Sequence, residues 1–160
     1  MLLNGVNHVA ILTKDIDRLR AFYADVFESA VSHQVEIGDG ATLTMIDVGP
    51  ATELNVFHVP GNTEPERQVP MLGRGRIDHI GLQAADLAAF RTIRRRLLDR
   101  NATSGFVTDF GPSLSLFFRD PDGLEGEVLV DNPDRVPGRH NPPGTPAPGY
   151  DVENPAFDEE

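Results

Sequence analysis

Cysteine and tryptophan are absent from this 160-residue chain, and tyrosine occurs only twice. Without cysteine there is no disulfide, no thiolate nucleophile and no cysteine-held zinc, so any metal must be held by His, Asp and Glu. Basic residues are also scarce: 14 Lys and Arg stand against 25 Asp and Glu, leaving a net charge of -11. Neutralising phosphates needs a basic face, which excludes nucleic acid as the expected partner. The one basic cluster, RTIRRRLLDR at 91–100, has helical spacing and reads as a solvated helix face. No apolar run approaches the roughly 20 residues of a membrane span. The opening MLLNGVNHVAIL shows neither a basic leader nor a cleavage site, so a cytoplasmic protein away from membranes is expected.

What the chain does contain is a repeat. Shifted by 71 positions, VNHVAILTKDIDRLRAFYADVF lies on IDHIGLQAADLAAFRTIRRRLL without a gap. His8 falls on His79 and Asp15 on Asp86. Val9 falls on Ile80, Ile11 on Leu82, Leu19 on Phe90, Phe22 on Ile93 and Val26 on Leu97. The agreement is of chemical type and period more than of identity.

Each copy opens with an alternating strand, 5–12 or 76–83, followed by an N-cap aspartate, Asp15 or Asp86, and an amphipathic helix over 16–28 or 87–100. Three strand-like runs follow in each: AVSHQVEI, ATLTMIDV and ELNVFHVP, then GFVTDF, SLSLFFRD and GEVLV. The pattern predicts an α+β fold of two βαβββ modules, about 1–62 and 75–132, within one domain spanning 1–132. Modules of some 60 residues have little core of their own, so the two sheets are expected to join as one curved mixed sheet, a half-barrel pair around a cavity. Residues 133–160 hold seven of the 13 prolines, with six acids against two arginines. They read as a Pro-rich acidic C-terminal arm.

Strand parity assigns faces. Val9 and Ile11 share one face, and His8 and Ala10 the other; Ile80 and Leu82 share one, and His79 and Gly81 the other. Val128 and Val130 oppose Glu127. With the aliphatic faces under the helices, both histidines and Glu127 project into the hollow, where Ala10 and Gly81 leave room. A lone strand histidine is ordinary packing. Two at one position of a duplicated unit, with a carboxylate on the same face, favour a divalent first-row metal with open positions. His33 reads as a strand-edge residue and His140 is assigned no role. In DPDG, Asp120 and Asp122 read as a tight turn in preference to a calcium site.

The stretches NHVAI with FYADVF, IDHIGL, and above all FRDPDGLEGEVLV resemble the vicinal oxygen chelate (VOC) superfamily. It includes glyoxalase I, extradiol dioxygenases and the bleomycin and fosfomycin resistance proteins. The resemblance implies the two-module fold and a homodimer. It also implies His8, His79 and Glu127 as ligands of one divalent metal (Fe, Mn, Ni, Co or Zn). A further ligand or base comes in some branches from ELNVFHVP, where Glu53, Asn55 and His58 compete. Asn55 is the possible fourth ligand or substrate contact, and His58 and Glu53 are the catalytic candidates. The implied function is a metal-dependent enzyme on a small substrate with vicinal oxygens, dioxygenase-like or glyoxalase/isomerase-like. The dioxygenase branch carries a further His and Tyr in its second module, and GFVTDF and SLSLFF contain neither. The alternative is a drug- or metabolite-binding resistance protein that sequesters its ligand without chemistry.

Overall fold

The structure, a computed structural model, describes residues 1–67, 69–70, 72–135, 147 and 150. The chain forms two compact units, Met1–Gln68 with Pro121–Gly123, and Val69–Asp120 with Leu124–Glu160. The first contains β1 (His8–Thr13), α1 (Ile16–Phe27), β2 (Val31–Gly38), β3 (Ala41–Gly49) and β4 (Thr52–His58), then a 3-10 turn at Glu64–Glu66. The second contains β5 (Ile80–Gln83), α2 (Leu87–Asp99), β6 (Val107–Asp109), β7 (Ser113–Arg119) and β8 (Glu125–Asp131). Each is the expected βαβββ. Hydrogen bonding makes two four-stranded mixed sheets, β1-β4-β3-β2 and β5-β8-β7-β6, one sheet per unit. In both, the first strand runs parallel to the last and the other pairs are antiparallel.

Local chemistry starts each helix. The Asp15 carboxylate accepts from the amide of Arg18 at 3.0 Å, and Asp86 accepts from that of Ala89 at 2.8 Å. Caps of this kind contribute about 1 kcal/mol each. The apolar stripe of α1 buries Leu19, Phe22, Tyr23 and Val26, at about 1.5–3 kcal/mol for each large side chain. The corresponding stripe of α2 is Phe90, Arg94 and Leu97. The 91–100 cluster is therefore not a fully solvated face, because Arg94 is 1% exposed. It sits where the repeat places Tyr23 of α1. Its Nε donates to the carbonyl of Gly105 at 2.7 Å, and its guanidinium lies 5.3 Å from the ring centre of Tyr150. A hydrogen-bonded guanidinium under an aromatic ring can be buried where a bare charge could not.

Most of the C-terminal arm lies outside the described residues, as does His140. Of the arm, the Ala147 amide donates to the Val107 carbonyl on β6, the end strand of its sheet, at 3.0 Å. The Tyr150 ring meets Phe90 edge-on at 6.1 Å. Within the described residues, no helix is long and apolar enough to cross a membrane.

The DPDG stretch is a turn. Asp120 accepts from the Leu124 amide at 2.9 Å and returns its own amide to the Leu124 carbonyl. Asp122, in the first unit, accepts from Thr13 Oγ1 at 2.5 Å and Arg18 Nη2 at 2.7 Å, next to the start of α1. Both carboxylates thus serve the fold. At the start of α2 the repeat replaces Thr13 and Arg18 by Ala84 and Ala89. A cavity of about 260 Å³ lies there, lined by Ala84, Ala85, Asp86, Val130 and Pro133 among others.

Candidate metal centre

β5 and β8 build the site in the second unit. Their parallel register sets Gly81 against Glu127, and β7 sets Phe117 against Glu127 from the other side. His79 immediately precedes β5 and shares the parity of Gly81. Its Nε2 stands 3.3 Å from Glu127 Oε2. A Cβ on Gly81 would come within 3.8 Å of that same oxygen and 3.1 Å of Leu129, so the small residue there keeps the space open. Phe117 places its ring edge-on to the imidazole, 5.2 Å between centres. The side chain of His79 remains 31% exposed while that of Glu127 is 11% exposed, so the pair is reachable from solvent on the histidine side.

Neighbouring groups define the polarity of the pair. His79 Nδ1 lies 3.0 Å from Asp78 Oδ2. The hydrogen bond to His79 holds the Asp78 carboxyl below the usual carboxylate range, helped by the Leu72 amide and the Arg74 guanidinium. An ionised carboxylate only accepts, which assigns the proton to Nδ1 and leaves the Nε2 lone pair pointing at Glu127. Ser115, fully buried, donates its hydroxyl to Glu127 Oε1 at 2.5 Å. Two acceptors, Nε2 and Oε2, therefore face each other at 3.3 Å. That arrangement needs a proton between them, on the imidazole or on the carboxyl, or a metal ion. A carboxylate–histidine pair behind a nitrogen ligand is the usual outer shell of a metal site. The residues present thus fit a divalent cation with nitrogen and oxygen ligands.

The first unit carries the counterpart. His8 is exposed at the start of β1, with Nδ1 2.8 Å from Asn7 Oδ1, so again the preceding residue engages Nδ1 and leaves Nε2 free. Register pairs Ala10 with Asn55 and Asn55 with Met45, as Gly81 pairs with Glu127 and Glu127 with Phe117. Asn55 is therefore the positional equivalent of Glu127, and its Oδ1 is buried without a hydrogen-bond partner among the described residues. Glu53 pairs with His8 on the same face and accepts from Ser32 Oγ at 3.3 Å. His58 falls in register with Thr13 and Thr42, on the opposite, helix-covered face from Glu53 and Asn55. His33 is exposed on β2, the end strand of its sheet.

Of the expected site residues, His79 and Glu127 are brought together directly. Among the described residues no group of three or more His, Asp or Glu side chains is gathered as a metal cage. Sequence reasoning missed Ser115 and the roles of Asp78 and Phe117. The available signal was a serine at a buried position of SLSLFF, where a hydroxyl needs a specific partner.

Two βαβββ units, each opening on a histidine whose Nδ1 is engaged by the residue before it, define a duplicated α+β fold of the vicinal-oxygen-chelate type. The chain belongs to the glyoxalase/bleomycin resistance protein/dioxygenase superfamily, whose family model matches residues 5–128. Among solved structures it is similar to a glyoxylase/bleomycin resistance protein/dioxygenase domain from Frankia sp. EAN1pec. The TM-score is 0.66 at 18% identity, covering 83% of this chain and 96% of that one. The trypanothione-dependent glyoxalase I of Leishmania major superposes with a TM-score of 0.59 at 22% identity, covering 80% and 87%. The fosfomycin resistance protein FosX of Listeria monocytogenes, solved with Mn(II) and sulfate, gives 0.57 at 14% identity, covering 84% and 98%. At these identities the likeness is one of fold. No curated protein sequence matches the chain.

Proposed function

We propose that the protein is a metal-dependent enzyme of this superfamily acting on a small substrate that offers two adjacent oxygens. His79 and Glu127 supply ligands to one divalent ion (Fe, Mn, Ni, Co or Zn), and His8 is the third ligand nominated by its equivalent place in the repeat. The observation that carries this reading is the facing pair of acceptors, Nε2 of His79 and Oε2 of Glu127. The Mn(II) of the FosX relative supports it.

A bound cation would acidify the carbon or hydroxyl between the substrate's paired oxygens and stabilise the resulting anion. The chain's own residues do the rest. Asp78 keeps the proton on Nδ1 of His79, and Phe117 fixes the ring plane. Asn55 Oδ1, without a partner among the described residues, is suited to receive a hydrogen bond from substrate. Glu53 is the base we assign, because it lies on the His8 face, whereas His58 lies on the opposite face of β4. The isomerase-like reaction is favoured over ring cleavage, since β6 and β7 present no His or Tyr beside the pair. Cytoplasmic residence and a homodimer belong to the same reading. The family resemblance supports the dimer, and fractionation and light scattering test both.

One observation favours the second reading, a cavity-type binding protein: the repeat has Asn55 where the second unit has Glu127, so one half lacks the ligand carboxylate. Metal analysis after loading with Mn(II), Co(II), Ni(II), Zn(II) or anaerobic Fe(II) separates the two. The expected result is close to one ion per chain in the wild type, none in His79→Ala, and weakened uptake in His8→Ala. A wild-type chain that stays empty with every ion would overturn the enzyme reading and leave ligand sequestration.

A further inference from the structure

We propose that Ser115 is a positioning residue: by holding Oε1 of Glu127 it commits that carboxylate to present one oxygen, Oε2, on the His79 side. The inference rests on the reading of His79 and Glu127 as metal ligands and extends it to a buried neighbour of Glu127 on the same face.

Three observations carry it. Ser115 is fully buried, and its hydroxyl meets Oε1 at 2.5 Å, the length of a charge-assisted O–H···O⁻ bond. On the other side Asp78 constrains His79 in the same manner, so each member of the pair has one polar atom fixed and one left over. The repeat supplies the control. Ser115 pairs with Leu129 on β8, and the corresponding pair in the first unit is Leu43 with Phe57, beside Asn55. A hydroxyl therefore occurs where the carboxylate occurs and a hydrocarbon where the amide occurs. Burying a hydroxyl in a strand core is costly unless it is bonded, and leucine shows that an apolar side chain is compatible with this position of the plan. Packing alone gives no reason for serine; fixing Glu127 does.

The experiment compares wild type, Ser115→Ala and Ser115→Thr as full chains loaded with Co(II). The absorption bands of that ion report coordination number and symmetry without any turnover. Loss of an outer-shell partner of this kind costs about 10- to 100-fold in metal affinity. The expected result is that rise in Kd for Ser115→Ala, with the cobalt bands altered by the freed Oε1, while the metal-free protein still unfolds cooperatively at a Tm lowered by the lost buried bond. Ser115→Thr, which retains the hydroxyl, should restore both. Superimposable bands and equal affinity in Ser115→Ala would overturn the proposal. If wild type takes up neither cobalt nor any of the other ions named above, the reading of the pair as a metal centre is what fails. Ser115's hold is then read in metal-free protein from the carboxyl carbon resonance of Glu127, which must shift in Ser115→Ala for the positioning role to stand.

Discussion

The two units share one plan but fill it with different chemistry. Behind the site face, the first unit sets Val9, Leu54 and Ile46 side by side across β1, β4 and β3. The second sets Ile80, Gly126 and Phe118 across β5, β8 and β7. On the helix, Tyr23 in a cluster with Phe22 and Phe27 is answered by Arg94 beneath Tyr150. On the site face, Met45, Leu43 and Asn55 are answered by Phe117, Ser115 and Glu127. At these positions the first unit is therefore the more hydrocarbon version and the second the more polar, while at the helix start Thr13 and Arg18 against Ala84 and Ala89 reverse the contrast. Duplication preserves backbone register, while leaving the identity of each side chain free to specialise.

The largest expected effect breaks the volume exchange between rows. A Cβ on Gly126 would lie 2.3 Å from the Phe118 ring. Gly126→Leu should destabilise the protein by about 3 kcal/mol or more, at the upper end of overpacking costs. If the rows are true equivalents, the double variant Gly126→Leu with Phe118→Ile recreates the first unit's row and recovers most of that loss. Urea unfolding of the three proteins checks this. A double variant no better than the single would mean that the two rows are not interchangeable.

A middle-sized effect concerns the helix exchange. Tyr150→Ala removes the ring over Arg94 and the edge contact with Phe90, and should cost about 1–2 kcal/mol, the range for a desolvated cation–π contact. In Arg94→Leu, which converts α2 toward the hydrocarbon stripe of α1, the cost of Tyr150→Ala should fall. A double-mutant cycle measures that coupling. A coupling of zero would show that Tyr150 packs on Phe90 alone.

Much of this architecture was legible in the residues. The 71-residue offset, the caps at Asp15 and Asp86 and the strand periods are local properties, and local chemistry decides them. That His79 and Glu127 share a face was also legible, because parity assigns it; that β5 runs parallel beside β8 and brings them together was not. The basic run at 91–100 was read wrongly at one residue. Helical spacing marks position 94 as inward, but an arginine there is stable only because Gly105 and Tyr150, distant in sequence, receive it. Ser115 was missed for the same reason: its partner lies on another strand, and alternation alone does not distinguish a bonded serine from a tolerated one. Asn55 was named among three candidates, and only the register of β4 with β1 makes it the counterpart of Glu127.

The smallest expected effect separates the two histidines by what holds them. Asn7 engages His8 with a neutral amide, whereas Asp78 engages His79 with a carboxylate whose pKa is lowered from 3.8, first by the hydrogen bond to His79. A group whose folded-state pKa is depressed contributes stability above its unfolded pKa and loses it as pH falls through the folded value. Asp78→Asn, which makes the second unit resemble the first, should therefore be less stable than wild type at neutral pH. The difference should close below about pH 3.8, as the wild-type carboxyl takes up its proton. The effect stays below the other two because the Asp78 side chain is 25% exposed, where solvent screens the pairing. Thermal unfolding of both proteins in metal-free buffer from pH 7 down to pH 3 reads the closing gap. A gap of constant size across that range would mean that the carboxylate's charge is irrelevant, and that Asp78 and Asn7 orient their histidines equally well.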